Sequence, residues 1–569
     1  MTRHPLAQIG VLVVACVFCS FVGLTTHGLT NWQESQRLVV AREMQDHREW
    51  LVPSFRGQAY LAKPPMIYWA QIGLAELRGA RVGLFDLRFV VAAAGLAGVL
   101  LTLFAARLLV GDGSDVPMIA ALCLATGLLY VRSTRVGELD ILLAPFTVVA
   151  VIGVVVAWRR AAEPLRRRAV PLALATVATA AAGLTKGPPA VALIGLACYG
   201  GMAIHAVMLD PPSCRGRRAS AASAILATAA VLGFMLWRGM KWADAPGVLG
   251  LIALAAMLGA FAPLLARRAT TRILWRDLSH THPMLVLGGG FAAYAAWWYL
   301  ASRQVDPAII AAIAAEQVDN DLQLLVPQAP IRNLEALAYG CGIGSLGLVA
   351  GLLSWIRLRT SPSRETCIMI AWVVLGFALL SLAGKGVPRY LTPLWPGVAI
   401  LGGAAIARLA VGPRRPALWI AFTVLAVGQG AWFGYGREAW SGPRSPRALT
   451  GELLARGIDP ARVASFEFYT PALDFYFGRA VFPVQTAAVA GGVPPWTIER
   501  LRDEAANAPV IVLLRAPHEN PEASPAARAL SDAGLNLTFL PMESRFVIDN
   551  WRADVRAAVA IAADKSSTP

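Results

Sequence analysis

Apolar runs close to the roughly 20 residues a helix needs to cross a bilayer recur from residue 6 to about residue 433 of this chain. They fall at roughly 6–26, 87–109, 115–131, 138–157, 169–185, 187–208, 219–237, 246–266, 282–300, 335–356, 366–384, 391–411 and 416–433, about 13 spans in all. A chain patterned this way is a polytopic α-helical membrane protein. Only 15% of its 569 residues are charged, against about 25% in soluble domains. That excludes a disordered chain, a disulfide-stapled secreted module and an ordinary cytosolic enzyme.

The 51 basic and 35 acidic residues leave a net charge of +16. Such an excess fits nucleic acid unless it sorts by loop, and here it sorts. With the N-terminus in the cytoplasm, five arginine-bearing loops share one side: Arg159–Arg168, Arg215–Arg218, Arg267–Arg276, Arg357–Arg364 and Arg408–Arg415. This is the positive-inside pattern, so the charge reports topology and no nucleic-acid partner is expected. The first run extends to about Thr26 without a small-residue cleavage site, which makes it an uncleaved span rather than a signal peptide. The arginine-, alanine- and glycine-rich composition suggests a GC-rich bacterial genome, and the expected location is the bacterial inner membrane. The seven cysteines lie in apolar runs or short loops, and Cys16/Cys19 lacks a second ligand pair, so buried thiols are expected and no metal site.

Two long exterior loops follow from this threading, at 27–86 and 301–334. In the first, Leu38, Ala41 and Met44 recur at helical spacing opposite Gln36, Arg37 and Glu43, which predicts an amphipathic helix at the bilayer surface. From about residue 437 the pattern turns to a small soluble α/β domain. Strand-like runs are expected at Val463–Phe468, Val510–Leu514, Leu537–Leu540 and Phe546–Ile548, and helices at Pro471–Phe477, Trp496–Ala506 and Ser524–Ala533. The division is therefore 1–436, spanning the membrane, and 437–569, outside it on the periplasmic face.

The stretch from Asn31 to Trp69 carries AREM, then WLVP, then YLAKPPMIYW. It resembles the first exterior loop of the lipid A aminoarabinose transferase family, a GT-C family related to the protein O-mannosyltransferases. Gly183-Leu184-Thr185-Lys186-Gly187-Pro188 and Lys385-Gly386-Val387-Pro388-Arg389-Tyr390-Leu391-Thr392-Pro393 are similar to two further family segments. The resemblance covers most of the membrane region in order and fades beyond about residue 437. It implies a GT-C-like fold and an inverting glycosyltransferase, which takes a monosaccharide from a polyprenyl-phosphate carrier and gives it to an exterior lipid, glycan or protein acceptor. No cofactor beyond the donor is implied, and a divalent metal is left open.

Such a transfer needs cations for the phosphate leaving group, a carboxylate to take the acceptor proton and an apolar groove for the lipid. Lys63, Lys186, Lys385 and Arg389 fall at exterior span ends, against the positive-inside trend, and are the expected phosphate ligands. The bland alternative is that they snorkel to the interface or pair with lipid headgroups. The family's Asp-Glu pair stands here as Gln33-Glu34. An amide is not a base, so the carboxylate candidates are Glu34 and Asp140. For Glu34 the alternative is a helix-start carboxylate that satisfies free N–H groups. Glu138 reads as the solvated neighbour of Asp140. Gln33, Tyr60, Tyr68, Trp69, Glu316 and Tyr390 complete the site as expected substrate contacts.

The missing aspartate has two readings: an acceptor that is already ionised, or a divergent protein with altered or lost activity. Two other classes stand beside the transferase, a lipid or sugar transporter and a non-catalytic lipid-binding or assembly protein. Transporters commonly show internal repeats, and none is legible here.

Overall fold

The computed structural model describes residues 5–111, 114–210, 262–311, 329–358, 363–382, 386–410, 414–485, 495–517, 520–548 and 553–563, with 222, 223, 226 and 313. The expected span at 219–237, most of that at 246–266, Cys214, Lys385, Glu316 and its neighbours to 328 lie outside them. The chain divides into two compact units. One comprises Met1–Phe21, Ala62–Ile67 and Val90–Gly430; the other comprises Val22–Leu61, Tyr68–Phe89 and Ala431–Pro569.

The first unit is a bundle of apolar helices. Among the described residues, eight helices are long and apolar enough to cross a membrane, or ten spans if each of two bent pairs counts as one. Every expected span within the described residues coincides with one of them or with the shorter apolar helix Leu6–Ser20. The expected run at 115–131 is the first bent pair, Val116–Ala125 and Leu128–Arg135, turned by 55°. Breaking a helix at membrane depth frees backbone groups that lipid cannot satisfy. Here the Thr126 carbonyl accepts from Gln429 Nε2 at 2.8 Å, while the Thr126 hydroxyl donates to the Leu122 carbonyl at 2.7 Å. Helices Ile343–Leu358 and Trp395–Leu409 approach so closely that a Cβ on Gly402 would sit 2.0 Å from the Gly344 carbonyl oxygen. Small residues permit that contact, as between transmembrane helices generally. The six described cysteines are free and buried.

The second unit is built on a six-stranded sheet. Its strands are β3 (Val463–Phe466), β4 (Phe482–Val484), β5 (Val510–Arg515), β6 (Leu535–Phe539), β7 (Phe546–Ile548) and β8 (Ala553–Ala562), while β1 (Ser54–Phe55) and β2 (Gln58–Ala59) form a separate hairpin. The order is β4-β3-β5-β8-β6, with β7 also on β8. β3 is parallel to β4 and β5, and β8 is antiparallel to β5, β6 and β7. Alternate residues feed two cores. Ala464, Phe466, Val512, Leu514 and Ala558 pack with Leu501 and Leu530 on one face. On the other, Val463, Ile511, Leu513 and Ala557 pack with Leu449, Leu453, Leu473 and Phe477. Burying each of the valine, isoleucine, leucine and phenylalanine side chains among them contributes about 1.5–3 kcal/mol.

A cut at 436/437 does not follow this packing, because Val22–Leu61 and Tyr68–Phe89 are compact with the tail. The helix Trp32–Asp46 lies against the helix Pro471–Phe477. Arg42 donates to the Phe475 carbonyl at 2.8 Å and sits 3.8 Å from that ring's centroid. Trp32–Asp46 is therefore not the surface-lying amphipathic helix expected. Its apolar stripe Leu38, Ala41 and Met44 is enclosed, but so are Glu34, Gln36 and Arg37, with Glu34 on Arg88 and Gln36 on Tyr60. Glu43 accepts from Ser54 Oγ and from the backbone N–H groups of Arg56 and Gly57, closing the β1–β2 hairpin. Arg56 and Gly57 both have positive φ, the geometry a two-residue hairpin loop requires.

From that loop Arg56 reaches Asp474 at 3.2 Å, and Asp474 also accepts from Val481 N–H at 2.8 Å and from the Tyr469 hydroxyl. Burial pushes the Asp474 carboxyl up to about 6, against the pull of Arg56. A carboxyl raised above its unfolded value favours the folded state at low pH, and that contribution is lost as pH rises from about 4 through about 6. The stability difference between wild type and Asp474→Asn, which does not titrate, should therefore narrow between pH 4.5 and pH 7.5. Thermal melts of both proteins at the two pH values check this; a difference that widens with pH contradicts it.

Candidate functional site

In the membrane unit one cluster joins residues from three separated segments. Helix Leu128–Arg135 ends at Val136, and Gly137 turns the chain with φ +60°, leading into the short 3-10 turn Leu139–Leu142 that carries Asp140. Lys186 is the last residue of helix Leu165–Lys186, where a cation complements the carbonyl end of the helix. The next residue, Gly187, has φ +77° and ψ −156°, a conformation essentially confined to glycine. A Cβ there would also meet the Tyr294 ring at 3.2 Å. Arg389 and Tyr390 lie in the 3-10 segment Pro388–Leu394, where Pro388 and Pro393 lack the N–H groups that an α-helix would use.

The three segments converge on Asp140, whose side chain is 2% exposed. Lys186 Nζ pairs with Asp140 Oδ1, and Arg389 Nε lies 3.8 Å from Oδ2. Lys186 Nζ also sits 3.7 Å from the centroid of the Tyr390 ring, whose face attracts a cation. Two cations against one carboxylate leave a net positive charge, and both cations are partly exposed, at 18% and 19%. Such an arrangement is chemically suited to an anion. Lys63 belongs to the same unit, is half-buried and makes no ion pair among the described residues; no hydrogen bond there joins it to Asp140.

The second unit holds the other candidates. Glu34 is fully enclosed, and its two oxygens take Arg88 Nε at 2.7 Å and Nη2 at 3.3 Å. Arg88 is equally buried and also donates to the carbonyls of Leu24, His27 and Gly28. Glu34 is thus an internal counter-ion that orders the start of the loop, which corrects its expected role as a proton acceptor. A carboxylate with no exposed edge and both oxygens on a guanidinium has no access to a substrate. Tyr68 is 1% exposed, so it too is core rather than a substrate contact. Gln33 is half-buried on the first turn, its backbone N–H donating to the cap residue Asn31, and among the described residues its Oε1 has no hydrogen-bond partner. The Tyr60 hydroxyl donates to Gln36 Oε1 at 3.4 Å, and Trp69 Nε1 to the Trp50 carbonyl at 2.6 Å.

Sequence reasoning missed Glu138. Expected to be solvated, it is 1% exposed, with Oε2 accepting from Ser133 Oγ at 2.9 Å. The signal available was its i−5 serine and the membrane depth of the segment, where an ionisable group is rarely idle. Among the described residues no three His, Cys, Asp or Glu side chains gather as metal ligands would.

The profile of the family described as dolichyl-phosphate-mannose-protein mannosyltransferase matches residues 32–209. Two curated proteins, both named undecaprenyl phosphate-alpha-4-amino-4-deoxy-L-arabinose arabinosyl transferase, come from Pseudomonas aeruginosa strains LESB58 and PAO1. Each is 25% identical over 405 residues, 70% of this chain and 60% of the relative. The matched region thus spans less than two thirds of those relatives' length. Among solved structures, ArnT from Cupriavidus metallidurans bound to undecaprenyl phosphate superposes with a TM-score of 0.64 at 17% identity, covering 96% of this chain and 97% of that one. The fold is therefore that of a GT-C membrane protein, as the sequence led one to expect.

Proposed function

We propose that this chain, a member of the GT-C group of polyprenyl-phosphate-sugar glycosyltransferases, moves one monosaccharide from a polyprenyl-phosphate carrier to an exterior acceptor. The observation that carries this reading is the convergence of Lys186 and Arg389 on the buried Asp140 at the ends of apolar segments. An acceptor oxygen bonds to the anomeric carbon as the bond from that carbon to the phosphate oxygen breaks. The electron pair leaves with the phosphate, and the carbon inverts. Lys186 and Arg389 take up the charge that develops there, in a site pre-set by Asp140 so that little reorganisation accompanies the reaction. Lys63 and Lys385 are further phosphate ligands in this reading, and Gln33, Tyr60, Trp69, Glu316 and Tyr390 are the proposed contacts to sugar or acceptor. The reaction calls for no cofactor beyond the donor. The site opens on the periplasmic side of an inner membrane, with the N-terminus in the cytoplasm and the tail outside.

Neither carboxylate expected to act as a base is free to do so: Glu34 is held by Arg88, and Asp140 by Lys186 and Arg389. This favours an acceptor whose attacking oxygen is already ionised, a phosphate or carboxylate such as a lipid A-like lipid presents, because it has no proton to surrender. The test is turnover of a panel of polyprenyl-phosphate monosaccharides by the purified protein, with hydroxyl-only and phosphate-bearing lipid acceptors, read by mass spectrometry. The expected result is release of polyprenyl phosphate from one donor with sugar on a phosphate-bearing product. Lipid that binds without any donor turning over would point instead to a binding or assembly protein.

A further inference from the structure

Helix Leu165–Lys186 carries Lys186 at one end; its other end has no part in the transfer described above. It runs beside helix Pro283–Ser302. Midway along, the two touch through small residues. A Cβ on Gly289 would sit 2.5 Å from the Thr176 methyl group, one on Gly290 the same distance from that of Thr179, and one on Gly183 2.8 Å from the Gly290 carbonyl oxygen. Toward the arginine-bearing end this contact gives way to a groove of about 420 Å³, lined by Leu165, Ala169, Ala173 and Val177 of the first helix and His282 and Leu285 of the second. That volume lies within the roughly 300–1,000 Å³ of small-molecule sites. The hydroxyl of Thr176, also on the wall, is used within its own helix, on the Leu172 carbonyl at 2.9 Å. The groove is therefore almost wholly apolar.

Its mouth is cationic. Residues 160–168 hold four arginines, Arg160, Arg166, Arg167 and Arg168, against one acid, Glu163. Arg168 is buried on the groove's own stripe, three residues after Leu165 and four before Leu172. Its Nη1 donates to the His280 carbonyl at 2.6 Å, two residues before His282, and so ties the two sides of the mouth together. Arg160 donates to the Arg167 carbonyl at 3.1 Å, which brings a further cation to the same turn, and Glu163 takes Arg167 at 3.4 Å. Arg166 is exposed and makes no ion pair among the described residues. An apolar groove that ends among cations suits an alkyl chain joined to an anion.

We infer that this groove is a site for one anionic phospholipid of the cytoplasmic leaflet, an acyl chain lying between the helices and the phosphate among Arg160, Arg166 and Arg167. Basic pockets between spans on the cytoplasmic side attract such headgroups. The polyprenyl-phosphate donor does not meet the charge requirement here. Arg166 and Lys186 are 20 residues apart on one helix, roughly 30 Å at 1.5 Å per residue, so a phosphate held at Lys186 leaves these arginines unanswered. The inference does not depend on the transferase reading, because its test reads lipid retention and not turnover.

The experiment is native mass spectrometry of the purified full chain in detergent, titrated with phosphatidylglycerol, with phosphatidylcholine of the same acyl chains, and with polyprenyl phosphate. The expected result is one saturable phosphatidylglycerol per chain, held about tenfold or more tighter than phosphatidylcholine. Arg166→Gln and Arg167→Gln should each weaken phosphatidylglycerol by about fivefold and leave phosphatidylcholine unchanged. Ala173→Trp, which fills the groove, should release the bound phosphatidylglycerol. If that variant does not accumulate, Ala169→Leu takes its place, and the two exposed arginines are tested in either case. Equal retention of the two phospholipids overturns the proposal. So does retention that falls with the arginines but ignores the filled groove, which would be loose attraction at the membrane surface. Displacement of phosphatidylglycerol by polyprenyl phosphate, one for one, also overturns it and would give the groove to the tail of the donor.

Discussion

Lys186→Ala should lower donor turnover by about 100- to 1,000-fold, the loss seen when one preorganised donor is removed from a developing anion. Two effects add. One of the two cations proposed to meet the phosphate is gone, and Asp140, buried and left among the described residues with Arg389 at 3.8 Å, directs an uncompensated negative charge at the incoming anion. The second effect gives the prediction its sharper form. Removing the carboxylate as well, in Lys186→Ala with Asp140→Ala, should recover part of the activity, because the repulsion disappears with its source. Strict additivity of the two substitutions would mean that the residues act independently, contrary to the geometry. The readout is release of polyprenyl phosphate per folded enzyme, in single turnover.

The second large effect is on stability. Arg88→Ala should destabilise the second unit by about 3–5 kcal/mol, since it strands a fully buried Glu34 and removes donors from three carbonyls. Glu34→Gln is the milder change, because its amide oxygen still accepts from Arg88. It should lower the melting temperature while leaving turnover per folded molecule within about threefold of wild type. Thermal melts with activity measured on the folded fraction separate the two roles. Loss of turnover in Glu34→Gln at an unchanged melting temperature would restore Glu34 as the proton acceptor.

What the sequence made legible follows the strength of the physical signal. A run of about 20 apolar residues has few alternatives, and lysine or arginine at an exterior span end goes against the topological trend, which is why Lys186 and Arg389 stood out. Burial of polar residues is not written in local pattern. Glu34 reads as a site residue and is enclosed, because its partner Arg88 lies 54 residues on and is set by tertiary packing; Glu138 reads as solvated and is enclosed as well, although its partner Ser133 is only five residues away. The same holds for helix Trp32–Asp46: its apolar stripe was visible, but the tail helix that covers it lies more than 400 residues away. In the tail, β8 went unseen. Its sequence, ADVRAAVAIA, has the alanine content of a helix. It is a strand because it is bordered by β5, β6 and β7, where small side chains let helices pack closely on the sheet.

The central claim, that the cations gathered on Asp140 receive the phosphate of the lipid carrier, is tested most directly by an experimental structure of the purified protein with polyprenyl phosphate bound. The account predicts phosphate oxygens within hydrogen-bond reach of both Lys186 Nζ and the Arg389 guanidinium, with Asp140 still paired to Lys186. A phosphate bound elsewhere, with the Asp140 cluster closed and unchanged, would contradict it.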